Sequence, residues 1–254
     1  MKLGIVTYNI ARSWDLPTII KHCRETGFAG VELRTTHAHG VEPSLSQAER
    51  AQVKALFADS GVEIAGLGTV CEYHAADPAL VRENIAATQE WVRLAADLGC
   101  PGVKVRPNGF QEDQGIPKEQ TLEQIGRALG ECGRFAAGFG VEIRLEVHGR
   151  GTSHPPHIRT ILDVAGAGVY ACWNSNAGEV VDGTIEPYFD LLRDSIRLVH
   201  VRDLYEPDYP WRELLRLLRD AGYQGYTLLE SGRESADPIG VMRYCRALWE
   251  ALQE

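Results

Sequence analysis

The stretch DPALVRENIAATQEWVRLAADLGCPGVKVR, residues 77–106, decides the fold. From Asp77 to Leu98 the apolar residues Leu80, Val81, Ile85, Val92, Leu94, Ala95 and Leu98 recur at mixed i+3, i+4 and i+7 spacings. That is the period of a helix with one buried face. Pro78 sits near its start, where a missing N–H is without cost. Gly99 ends it, because glycine enters the left-handed region cheaply. After Gly102 the chain turns to a short β-branched run, GVKVR (102–106), which reads as a strand.

Working outward, the same phrase recurs. Glycine pairs between a helix and the next strand return at Gly27-Phe-Ala-Gly30 and Gly222-Tyr-Gln-Gly225, and Pro17, Pro117 and Pro238 mark further helix starts. The other strand-like runs are LGIVTY (3–8), GVELR (30–34), VEIAGL (62–67), VEIRLEV (141–147), GVYACW (168–173), IRLVHV (196–201) and YTLLE (226–230). With GVKVR they make eight strands separated by amphipathic helices, hence a parallel sheet, since parallel strands need crossover connections. Eight units in 254 residues predict a single (β/α)₈ barrel over residues 1–254, a fold that takes roughly 250 residues. An open doubly wound sheet is disfavoured, because no G-x-G-x-x-G follows the first strand.

Composition narrows the partners. The net charge of −9 repels phosphate backbones and anionic bilayers, so neither nucleic acid nor a membrane is expected. A small anionic substrate stays open, because local charge can differ from the total. The six cysteines, Cys23, Cys71, Cys100, Cys132, Cys172 and Cys245, are widely spaced and read as buried free thiols. Together with the lack of a signal-peptide core in MKLGIVTYNI, this predicts a cytoplasmic protein. Oligomeric state, including a homo-oligomer, is left open.

In a barrel of this kind the chemistry sits at the C-terminal strand ends. Those ends carry Tyr8 and Asn9; Glu32 and Arg34, then His37 and His39; Glu72, Tyr73 and His74 in the loop after strand three; Lys104 and Arg106; Glu146, His148 and Arg150; Asn174 and Asn176; His200, Arg202 and Asp203; and Glu230. Charged side chains inside apolar strands are rarely buried unless paired. Glu146 in LEVH and Glu230 in LLES stand where apolar residues belong. Two Glu and one His from separate strands form an O,O,N set suited to Mn²⁺, Mg²⁺, Co²⁺ or Zn²⁺. Such an ion can stabilise an enediolate, and the two Glu could move protons.

At GFAGVELR, LGCPGVKVRPNG, LEVHGRG, CWNSN, LVHVRD and GYTLLES the chain resembles the xylose-isomerase-like sugar phosphate isomerase/epimerase superfamily over essentially its whole length. That group includes ketose 3-epimerases, hydroxypyruvate isomerases and inosose dehydratases. The resemblance implies a divalent metal held by strands five to eight, with the family's Glu, His and Glu falling on Glu146, His200 and Glu230. The family's strand-six Asp falls on Asn174, which offers a carbonyl oxygen but no charge, so a weakly bound ion is one expectation. A site tuned for an anionic substrate and a barrel that has lost its metal are the others. Asn176 is an alternative inward-facing donor.

The expected activity is a divalent-metal-dependent isomerase or epimerase of a sugar, keto-sugar or polyol. Glu146 and Glu230 are its expected acid/base pair; Glu146, Asn174, His200 and Glu230 are its expected metal ligands. His148, Lys104, Arg106, Arg202 and Asn176 are expected to contact substrate. A keto-sugar lyase or dehydratase on the same site, and a non-catalytic sugar-binding barrel, are the alternatives. So is a purely structural network in which Lys104, Arg106 or Arg202 balances Glu146 and Glu230, or Glu32 and Glu72 balance Lys104 and Arg106. His37, His39 and His74 are expected at the surface. Endonuclease IV, which shares this fold, holds three zincs with extra histidines, but the net charge argues against that reading. Trp14 could stack on a sugar. GRGTSHPPH (149–157) reads as an irregular loop over the site, and 203–209, ending before a helix start at Pro210-Trp211, as a wall of the pocket.

Overall fold

A computed structural model describes residues 1–254. The eight strands are β1 (Lys2–Val6), β2 (Gly30–Arg34), β3 (Glu63–Glu72), β4 (Gly102–Arg106), β5 (Glu142–Glu146), β6 (Val169–Asn174), β7 (Ile196–Val201) and β8 (Tyr226–Leu229). Each precedes a helix: α1 (Leu16–Thr26), α2 (Gln47–Ala58), α3 (Pro78–Leu98), α4 (Lys118–Ala137), α5 (Pro155–Ala165), α6 (Glu186–Leu192), α7 (Trp211–Asp220) and α8 (Pro238–Ala251). The strands pair in chain order and close, with β1 parallel to β8 in the register Leu3↔Thr227. The predicted (β/α)₈ barrel is therefore the observed fold.

The segment that announced the fold behaves as its pattern requires. Asp77 caps α3 by accepting from the Ala79 N–H, Pro78 opens the helix, and Gly99 closes it at φ 73°. Trp91, Val92, Leu94, Ala95 and Leu98 bury their side chains against the sheet. Strand residues alternate across the barrel wall. Val31 and Leu33 face the helices in the main core, whereas Glu32 between them points inward. A small apolar plug of Val6, Ala65, Cys172, Leu198, Tyr226 and Leu228 forms a separate core beneath the polar site. Gly4 lets β1 approach β2, since a Cβ there would lie 2.5 Å from the Gly30 carbonyl oxygen.

Three expectations need correction. Residues 149–157 are not all loop. Pro155 and Pro156 form the first turn of α5, the one place in a helix where proline forfeits no hydrogen bond, so the irregular part ends at His154. Glu72 belongs to β3 rather than to the loop after it: β3 runs past Leu67 across a register irregularity and pairs Glu72 with Arg106. His37 and His39 are buried, at 9% and 8% exposure. They are anchored from within the fold: His39 Nε2 lies 2.9 Å from the Arg34 carbonyl, and His37 Nδ1 3.2 Å from Thr7 Oγ1. His74 is half-buried. All six cysteines are buried free thiols, as expected. No helix is long and apolar enough to cross a membrane.

Candidate active site

The C-terminal ends of β5, β7 and β8 bring one atom each of Glu146, His200 and Glu230 within 4.8 Å of one another. These chain-distant residues meet because each is the last inward-facing position of its strand, or one step beyond it. Glu230 follows β8 directly, and its N–H donates to the Val201 carbonyl, which extends the ladder by one residue. His200 Nδ1 lies 3.5 Å from Glu230 Oε2 and 3.7 Å from Glu146 Oε1. That nitrogen is buried and has no hydrogen-bond partner. A buried ring nitrogen without a hydrogen bond, facing two carboxylates, could take a divalent cation, and O,N,O is a donor set such ions accept.

Glu32 orients the histidine from behind. Its Oε2 is 3.1 Å from His200 Nε2, and both side chains are fully buried. A carboxylate on one ring nitrogen fixes the tautomer that frees the other for a ligand, the usual arrangement behind a metal-bound imidazole. Glu32 lies outside the expected ligand set, yet it carries the same signal as Glu146, a carboxylate inside an apolar strand.

Asn174, at the end of β6, points its Nδ2 at Glu146 Oε1, 3.0 Å away. A half-turn of the amide would present Oδ1 instead, the orientation a cation needs. Lys104 lies under the site, with Nζ 2.7 Å from Glu146 Oε2 and both side chains only 3% exposed. Burial alone would raise the Glu146 carboxyl, but Lys104 and His200 outweigh it and hold it well below the carboxylate range. Burial lowers the His148 imidazole from its ordinary value; Glu146 opposes the shift and Lys104 and Arg106 add to it.

Around this centre lies a cavity of about 330 Å³. Glu146, Asn174 and Glu230 form one side; Tyr8, Arg34, Lys104, Arg106, His148, Asn176, Arg202 and Gly232 complete it. All five residues expected to contact substrate therefore line one cavity. Their present partners differ. Arg106 pairs with Glu72, Arg202 reaches Asp208 at 3.3 Å, and Asn176 donates to the Val147 carbonyl at 2.6 Å. Trp14 is not among the lining residues; its ring lies 4.8 Å from that of His22.

A further network supports the wall. Asn176 Nδ2 also donates to Glu179 Oε1, and Tyr209 Oη donates to Glu179 Oε2 at 2.7 Å while accepting from Trp173 Nε1. Burial pushes the Glu179 carboxyl up to about 8, and these two donors offset only part of that shift. No residue of 203–209 lines the cavity, contrary to the expected wall; Tyr209 packs behind it through Glu179, and Asp208 meets Arg202 at its edge. Glu179 lies past the strand end, in a stretch whose inward turn the local pattern does not announce.

Comparison with known proteins gives a consistent picture. Residues 20–248 match the family described as xylose isomerase-like TIM barrel. Fructoselysine 3-epimerase of Shigella flexneri is 22% identical over 91% of this chain and 90% of its own length, and that of Escherichia coli O157:H7 matches equally well. A D-psicose 3-epimerase from Clostridium cellulolyticum H10, solved with D-tagatose, superposes with a TM-score of 0.84 at 15% identity, covering both chains completely. An IOLI protein solved with a bound zinc atom superposes at 0.78 with 17% identity, covering 99% of this chain and 96% of its own. At these identities the superpositions speak for the fold.

Proposed function

Because the chain belongs to the xylose isomerase-like TIM barrel family, we propose that it is a divalent-metal-dependent epimerase or isomerase of a keto-sugar or polyol. The observation that carries this is the convergence of Glu146, His200 and Glu230 around the unpartnered His200 Nδ1. Those three residues would hold the ion, with Asn174 as a neutral fourth donor. When bound, a divalent ion supplies Lewis-acid polarisation of a carbonyl and its adjacent hydroxyl. The epimerase relatives and the zinc-bound neighbour support the same reading.

The protein's own groups do the rest. Glu230, 18% exposed and open to the cavity, takes the proton from the carbon beside the carbonyl. Glu146 takes up a proton from solvent and delivers it to the opposite face, which inverts that carbon, while Glu230 releases its own proton to solvent. The two roles exchange with the direction of reaction. Lys104 holds Glu146 in place and puts positive charge where the enediolate develops. Arg106, Arg202, His148 and Asn176 donate to substrate hydroxyls from the cavity wall.

The test is direct. Purified protein should carry about one divalent ion per chain, and Glu230→Gln should lose it. Wild type should also exchange the C–H proton beside the carbonyl of a keto-sugar into D₂O. Metal-free wild type that exchanges at the same rate would overturn the mechanism.

One observation favours a second reading. The Lys104 ammonium and the Asn174 amide already satisfy both Glu146 oxygens, at 2.7 and 3.0 Å. A barrel that binds sugar without a metal follows from that pairing. Calorimetry with Mn²⁺ separates the two, since the second reading expects no binding.

A further inference from the structure

We infer that the substrate carries a carboxylate, and that Arg34 is the residue that receives it. This rests on the reading of the cavity as a keto-sugar site, and it adds which sugars enter. Of the four cations lining the cavity, three have carboxylate partners: Lys104 with Glu146, Arg106 with Glu72, and Arg202 with Asp208. Arg34 has none. Its guanidinium forms no ion pair and donates no hydrogen bond; it lies over the Tyr8 ring, 4.7 Å from the centroid, half-buried at the end of β2. An arginine over an aromatic ring that spends none of its N–H donors on a protein acceptor keeps its fork available to take a carboxylate bidentately.

Two other cavity residues each hold a buried side-chain nitrogen without a partner. Arg106 Nε and His148 Nδ1 have no hydrogen-bond partner. Both residues line the cavity with Arg34. The three come from β2, β4 and the end of β5, whereas the Glu146–His200–Glu230 cluster is built by β5, β7 and β8. A substrate reaching from the cluster to Arg34 crosses the barrel mouth, with its reacting carbons at one end and its charge at the other.

The size of the charge argues for a carboxylate over a phosphate. Lys104, Arg106 and Arg202 are each taken up by a carboxylate, which leaves the single fork of Arg34 to meet a single anionic group. One unpaired guanidinium matches a monoanion. The overall charge of −9 opposes an anionic ligand, so a local cationic mouth is what admits it.

The experiment is calorimetry on Mn²⁺-supplemented protein with the four D-2-ketohexoses, their 6-carboxylates and their 6-phosphates, paired with C–H exchange into D₂O. At least one 6-carboxylate should bind tenfold or more tightly than its neutral parent. Arg34→Gln should bring that ratio close to one, and Arg34→Lys, which keeps charge but loses the fork, should retain part of it. A wild-type ratio below about two overturns the inference, as does an unchanged ratio in Arg34→Gln. Tighter binding of the 6-phosphates overturns the single-charge argument. A 6-carboxylate that binds tightly without exchanging its proton supports the inference while removing the epimerase reading. Neutral and charged sugars that exchange with equal affinity do the reverse.

Discussion

In the proposed metal site, Asn174 is the residue on which affinity for the ion would turn. A carboxylate there would add a negative charge to a site of two, and hard cations respond strongly to ligand charge. Asn174→Asp should therefore bind Mn²⁺ at least tenfold more tightly by calorimetry; an unchanged affinity would mean that this side chain does not reach the ion. Glu179 gives a pH-dependent counterpart. Its folded carboxyl lies near 8 because of burial, against 4.5 in the unfolded chain. Between those values the unfolded state releases a proton that the folded state keeps, so stability falls as pH rises from about 4.5 to 8 and levels off above. Over that window the loss is on the order of a few kcal/mol, at about 1.4 kcal/mol per unit. Glu179→Gln should flatten this slope in urea titrations at pH 5 and pH 8, and parallel slopes for the two proteins would refute the assignment.

At the scale of the element, the strands set the precision of the site. β1 approaches β2 at Gly4, where any Cβ would meet the Gly30 carbonyl oxygen at 2.5 Å and the Leu228 side chain equally closely. Backbone cannot yield as a flexible side chain can, so Gly4→Ala should cost about 1–3 kcal/mol or more by overpacking. Urea denaturation reads that cost, and a loss under 0.5 kcal/mol (about the noise of a neutral surface change) would show that the strands can part. Gly68 on β3 plays a related part, because a Cβ there would lie 2.5 Å from Glu32 Oε1. The bare backbone of β3 thus leaves room for the carboxylate that orients His200. Helix starts are set more simply, by Pro17, Pro78, Pro155 and Pro238 in first turns.

At the scale of the whole molecule, the ion and the fold should support each other. Glu146, His200 and Glu230 come from three strands of the closed sheet, so a ligand that needs all three binds only the folded chain. Linkage then predicts a stabilisation of about 2.7 kcal/mol at a free Mn²⁺ concentration of 100 Kd. Thermal melts should show an upward shift on adding Mn²⁺, reversed by a chelator and absent in Glu230→Gln. A shift that persists in that variant would place the ion elsewhere.

The barrel was legible in the sequence because its causes are local. Hydrophobic period, proline at helix starts and glycine at helix ends act within a few residues, and eight repeats of the phrase in residues 77–106 leave little choice of topology. Glu146, His200 and Glu230 were legible too, since a charged residue inside an apolar strand stands out without any knowledge of its neighbours. Pairing was another matter. Lys104 and Arg106 share a strand and a face, yet one is bound to Glu146 and the other to Glu72, while Arg34 is left free. The burial of His37 and His39, the place of Glu32 behind His200 and the inward turn of Glu179 belong to the same class. Each depends on which strand ends lie opposite one another across a closed sheet, a relation between residues far apart in the chain that only barrel closure creates.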